Sequence, residues 1–163
     1  MPKHTVNSFV AKIVVASIVI SGGACRLEAS AHAQSTYYVS PTGSDANPGT
    51  VAEPFLTIQK GVSSVAPGDV IVVRDGTYTP PPSAGCNAGS GFMVTIDRSG
   101  TPSSPITLKA EHKWGAILDA QSVCGWGIYL GAQQYWNIED FEVRNAYWVG
   151  MAAYAGASNH DHG

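Results

Sequence analysis

The chain has 163 residues and a formal net charge of −3, with 13% of residues charged against 44% hydrophobic. Nine Lys and Arg set against twelve Asp and Glu offer no basic field to a phosphate backbone, which argues against nucleic acid as a partner. Eighteen Gly and ten Pro, without long helical periodicity, exclude a helical bundle and favour short strands joined by tight turns.

Residues 1–33 read as a secretory signal. Lys3 and Lys12 precede an apolar run, Ile13 to Ile20, and the segment closes on Ala31-His32-Ala33, the A-x-A pattern that signal peptidase cuts. Cleavage near Ala33 would release a chain beginning at Gln34 or Ser35 into an oxidising compartment, periplasmic or extracellular. The apolar run falls short of the roughly 20 residues a membrane span needs, and no later stretch approaches it, so no membrane span is expected. Cys25 follows the small-residue box Ser21-Gly22-Gly23-Ala24, as a lipidated cysteine would, but Gly22 stands where such boxes carry a leucine-like residue. Lys3, Lys12, Arg26 and Glu28 leave with the signal, so nine basic and twelve acidic residues become six and eleven and the net charge becomes −5. Extracellular carbohydrate and calcium suit such a chain. Cys86 and Cys124 remain, an even number, and are expected to pair in a disulfide; the alternative is two buried thiols in separate coils.

The mature part, 34–163, is long enough for one small domain. Tyr37 to Ser40 reads as a short strand, cut off by Pro41 to Thr50, a loop made almost wholly of turn residues. Phe55, Ile58, Val62 and Val65 then fall at spacings of three and four, which predicts a helix over Thr57 to Val65 with Thr57 as N-cap and Pro67-Gly68 as its stop. Two turns with one apolar face cannot stand alone in water, so this helix is expected to lie as a lid on something. Val70 to Val73 is apolar at every position, which predicts a parallel strand buried on both faces beneath a helix. Asp75-Gly76 turns the chain, Thr77 to Thr79 continues it, and the stretch from Pro80 to Gly91 is a loop. Short strands recur afterwards at Phe92 to Ile96, Pro105 to Ala110, Ala116 to Asp119, Gly127 to Leu130, Trp136 to Arg144 and Gly150 to Tyr154.

Two features point to stacked coils. Gly127-Ile128-Tyr129-Leu130 recurs as Gly150-Met151-Ala152-Ala153 at an offset of twenty-three residues, the length of one solenoid coil. Within Trp136 to Val143 the apolar residues change parity, Trp136 and Ile138 against Phe141 and Val143, so a flat strand cannot bury both pairs on one face. A bend at Glu139-Asp140 would let two consecutive strands each point inward around a corner.

The stretches YYVSPTGSDANPGT, EPFLTIQKGVSSVAPGDVIVVRDGTY, PITLKA and GAILDA together resemble the beginning of bacterial secreted proteins of the pectate-lyase-like superfamily, above all polysaccharide lyase family nine and its uncharacterised relatives. The likeness runs from Tyr37 to about Asn145. It implies an all-β solenoid, a right-handed parallel β-helix with a short N-terminal capping α-helix. It also implies that calcium ligands and a basic catalytic residue sit on middle coils, past Gly163, so no catalytic residue is assigned. The chain stops in mid-repeat, and an open terminal coil leaves backbone groups unpaired; the expectation is the N-terminal piece of a longer protein.

A uronan lyase removes a weakly acidic proton beside a carboxylate, which calls for a neutralising cation, such as calcium, and a nearby Lys or Arg base. Two clusters come near that requirement. Glu139, Asp140 and Glu142 mark a coil corner, with a solvated corner as the plainer reading; Asn159, His160, Asp161 and His162 mix metal ligands with titratable groups, with a polar turn as the plainer reading. Among the aromatics, Trp136 and Tyr129 are assigned to the core, while Tyr147 and Trp148, in a loop between strands, are candidates for stacking on sugar. Asp119 and Lys109 are read as structural. The functional expectation is a secreted monomer that cleaves an acidic polysaccharide by β-elimination; the alternatives are a non-catalytic glycan-binding or surface scaffold and a glycoside hydrolase, for which no carboxylate pair stands out.

Overall fold

The computed structural model describes residues 32–81, 84–87 and 89–153. Residues 1–31 of the predicted signal and the cluster Asn159, His160, Asp161 and His162 lie outside them. Ten strands and one helix follow in chain order: β1 (Thr36–Val39), α1 (Ile58–Ser64), β2 (Val70–Val73), β3 (Gly76–Tyr78), β4 (Phe92–Thr95), β5 (Ile106–Ala110), β6 (Ala116–Asp119), β7 (Trp126–Gly131), β8 (Trp136–Glu139), β9 (Glu142–Arg144) and β10 (Val149–Ala153). All pairings between these strands are parallel. They form three sheets, ordered β1-β2-β5-β8, β3-β6-β9 and β4-β7-β10. The chain visits the sheets in rotation, β2-β3-β4, then β5-β6-β7, then β8-β9-β10, so three successive coils stack into a parallel β-helix.

Register explains the core. In the first sheet Tyr37, Ile71, Leu108 and Ile138 align as one ladder, and Val39, Val73 and Ala110 as another. Ile71, Val73, Leu108 and Leu118 are fully buried, and each such aliphatic side chain contributes roughly 1.5–3 kcal/mol by leaving water. The intervening ladder, Tyr38-Val72-Lys109-Glu139, faces the other way. Helix α1 therefore does not cover the outer face of β2, as the apolar run suggested. Its buried residues Ile58, Gly61 and Val62 lie against the inward ladders, where Gly61 meets Val39 and Ile71. The helix plugs the first coil.

The cap is built from local chemistry. The Thr57 side chain accepts from the Lys60 N–H, as an N-cap residue should. The Asp45 carboxylate accepts from the N–H groups of Leu56 and Thr57 at 2.9 and 2.8 Å and from the Thr57 hydroxyl at 2.8 Å, tying the turn-rich loop to the start of the helix. Asp69, 1% exposed, accepts from Ser35 N and Ala66 N, both at 2.8 Å, and lies 3.0 Å from His32 Nε2. A buried carboxylate so supplied with donors joins β1 to the end of the helix.

The predicted corner is present. Glu139 ends β8, Asp140 adopts φ +66°, and β9 begins at Glu142. Trp136, Ile138, Phe141 and Val143 all pack against the core. The twenty-three-residue offset also holds, since Val149, Met151 and Ala152 align with Trp126, Ile128 and Tyr129. The match slips at its end, where a bulge pairs Ala153 with Gly131 instead of Leu130. Tyr129 differs from expectation: it stands outside the core and stacks on Phe92 with ring centroids 4.1 Å apart. Cys86 and Cys124 are joined in a disulfide, Cα atoms 4.6 Å apart.

Candidate functional site

Two groups of side chains could meet a ligand. The first occupies the corner between the first and second sheets. Here Asp75 of the first coil sits over Gly115 of the second, where any Cβ would strike the Asp75 carboxylate. The Gly76 N–H donates to the Gly115 carbonyl at 2.9 Å, and the Trp114 N–H to the Asp140 carbonyl at 2.7 Å, stacking the corners of three coils. His112 Nδ1 lies 3.2 and 3.1 Å from the two Asp75 oxygens, and Glu111 completes a group whose ligand atoms lie within 4.8 Å of one another. All three residues are exposed. Two carboxylates and one imidazole fall short of the six to eight oxygens calcium takes, so this corner does not fit a calcium cage.

Among the described residues this is the one group of three such ligands, and it is not the expected one. Glu139 lies in register with Lys109, Asp140 lends its carbonyl to the corner, and the Glu142 carboxylate lies 4.0 Å from Arg144 Nη1. Sequence reasoning missed Asp75, Glu111 and His112 because Asp75 and Glu111 are thirty-six positions apart. The legible signal was the pair of turns Asp75-Gly76 and Gly115-Ala116 that start β3 and β6.

Asp119 closes the other corner of the second sheet. It accepts from Asn145 Nδ2 at 2.8 Å, from the Gln121 N–H at 3.0 Å and from Arg144 Nε at 3.1 Å. The Asn145 amide, then the Gln121 N–H and Arg144, hold its carboxyl below the usual range. It ends β6 with its carboxylate supplied with donors. A cavity of about 310 Å³ beside α1 is bounded by Leu56, Thr57, Thr77, Tyr78 and Met93 among others, and no charged side chain lines it.

The second group is the aromatic pair. Tyr147 and Trp148 are 58% and 64% exposed, with ring centroids 5.0 Å apart at 67°. The Trp148 indole N–H donates to the Gly89 carbonyl at 2.9 Å. Both rings are exposed, and this bond fixes the position of the Trp148 ring.

The model of the Pel9A-like right-handed β-helix region matches residues 37–161. Pectate lyase PEL9 of Emericella nidulans is 31% identical over 76% of this chain and 31% of its own length. Pectate lyase L of Dickeya chrysanthemi is 31% identical over 70% of this chain and 27% of its own. Among solved structures, a rhamnogalacturonan lyase superposes with a TM-score of 0.57 at 30% identity, covering 67% of this chain and 28% of that one. Pectate lyase Pel9A does so with a TM-score of 0.55 at 26% identity, covering 68% and 28%. The chain spans between a quarter and a third of the length of these two curated relatives.

Proposed function

Because this chain belongs to the Pel9A-like right-handed β-helix family, we propose that it forms the first coils of a secreted lyase that cleaves a uronate-bearing polysaccharide by β-elimination. The match over residues 37–161, with its stacked parallel coils, carries the reading. Relatives named as pectate and rhamnogalacturonan lyases support an acidic polysaccharide as substrate. Ala31-His32-Ala33 supports export, and among the described residues no helix is long and apolar enough to cross a membrane.

β-Elimination needs a base for the proton beside the uronate carboxylate and a cation to neutralise that carboxylate. Calcium would supply the cation. The described corner does not fit it, so we propose that both the ion and the base are held by residues other than the described ones. In the elimination step itself the described coils supply neither; they plug the solenoid and start its register. The full-length secreted protein should be incubated with polygalacturonate and with rhamnogalacturonan, with and without calcium, and the unsaturated product followed by ultraviolet absorbance. Product on one of these, lost on chelation, is expected; no product on any uronan sinks the lyase reading. A non-catalytic glycan-binding scaffold is the second reading, favoured by the exposed Tyr147 and Trp148 pair.

A further inference from the structure

Exposed apolar residues on the third coil fall into two kinds. Val149 and Met151 are 48% and 43% exposed, whereas Ile128, one coil below Met151 in the same ladder, is fully buried. Their exposure reflects a position on the outermost described coil. Tyr147 and Trp148, on the same coil, differ in that their rings fold back onto the coils beneath. The Trp148 indole reaches Gly89 of the first coil. A Cβ on Gly89 would lie 2.8 Å from the Tyr147 ring, and one on Gly125 would lie 3.0 Å from Trp148 Cδ1.

The rings are held from beneath. The N–H groups of Tyr147 and Trp148 donate to the carbonyls of Cys124 and Gly125 at 3.0 and 2.8 Å. The Gly89 N–H donates to Val123 at 3.0 Å, the Gly125 N–H to Gly91 at 3.1 Å, and the Cys86–Cys124 disulfide staples the same two loops. Gly89 has φ +85°, a left-handed conformation that glycine adopts freely. The indole N–H is already satisfied within the protein, so what Trp148 leaves for a ligand is flat ring carbon, while Tyr147 adds a ring and its hydroxyl.

We propose that Tyr147 and Trp148 form a subsite that stacks on the C–H face of a pyranose unit, and that the disulfide-stapled loop carrying Gly89 positions it. The choice of carbohydrate as ligand rests on the polysaccharide reading above. Rigid aromatic faces bind by surface area at little entropic cost, and a pyranose offers a matching flat apolar face. Ring stacking reads that face and not the carboxylate, so neutral and acidic oligosaccharides should both bind, the acidic ones gaining from any further contacts.

The test uses the full-length secreted protein, oligogalacturonides and a neutral cello-oligosaccharide, with binding read by calorimetry and tryptophan fluorescence. Trp148→Ala and Tyr147→Ala should each weaken binding on the order of tenfold, the size of one lost stacking contact. Trp148→Phe, which keeps a ring, should retain most of it, and Tyr135→Ala, an exposed aromatic elsewhere, should change nothing. Reducing the disulfide under non-denaturing conditions should weaken binding as well. Binding equal to wild type in both alanine variants, or no oligosaccharide binding by the wild type, overturns the subsite; unchanged binding after reduction overturns the role given to the disulfide. Product formation without Tyr147- or Trp148-dependent binding sinks the subsite alone, and dependent binding without product sinks the lyase alone.

Discussion

Gly61 is an unusual residue for the middle of a seven-residue helix, and its neighbours give it a testable meaning. It lies on the buried face of α1 with Ile58 and Val62, and a Cβ there would come 3.2 Å from Cγ2 of both Val39 and Ile71. Alanine would gain about 1 kcal/mol of helix propensity but must press two branched, fully buried side chains, so Gly61→Ala should lie within about 1 kcal/mol of wild type. Leucine cannot fit without displacing Val39 and Ile71, both 0% exposed, and Gly61→Leu should cost about 3 kcal/mol. A helix this short has no stability of its own, so it should lift from the coil. In a solenoid the damage stays local. Amide hydrogen exchange should therefore accelerate in β1 and β2 while β7 keeps its protection, and a dye for apolar surface should bind. Equal protection of β1 and β2 in Gly61→Leu and wild type would refute the plug.

Other perturbations read different parts of the same end. Asp69→Ala removes the acceptor of Ser35 N and Ala66 N in a buried site and should cost about 2–3 kcal/mol in urea unfolding, against a smaller loss for Asp69→Asn, which keeps one acceptor oxygen. Burial pushes the Tyr78 phenol above its usual range. Its hydroxyl donates to the Arg74 carbonyl at 2.9 Å. Because the folded pKa exceeds the unfolded value of 10.0, the neutral phenol's contribution is complete below that pH and declines above it, and Tyr78→Phe should flatten the alkaline limb of the stability curve. Replacing Cys86 and Cys124 together by serine reopens a loop of 38 residues and should lower stability by about 4 kcal/mol on the chain-entropy model, read as a lower denaturant midpoint.

Much of the architecture was legible because it is written in short-range pattern. Thr57 and the spacing of Ile58, Val62 and Val65 mark a capped amphipathic helix, the turn residues mark where strands stop, and the parity change across Glu139-Asp140 marks a corner. Backbone sterics and hydrophobic burial act on neighbours, so these signals survive in any window of ten residues. The contacts between coils were not legible in that way. Successive coils differ in length, with Val70 aligned to Thr107 thirty-seven positions on but Trp126 to Val149 only twenty-three. Which residues share a corner thus depends on how each loop is taken up in three dimensions. Asp75 meets His112 only because Gly115 leaves room beneath its carboxylate, and Trp148 reaches Gly89 only because Gly125 lets its ring lie flat. The adjacent Tyr147 and Trp148 were named from sequence, but the Asp75 corner and the seat of Trp148 on Gly89 were settled by stacking register, a long-range packing property that no local pattern encodes.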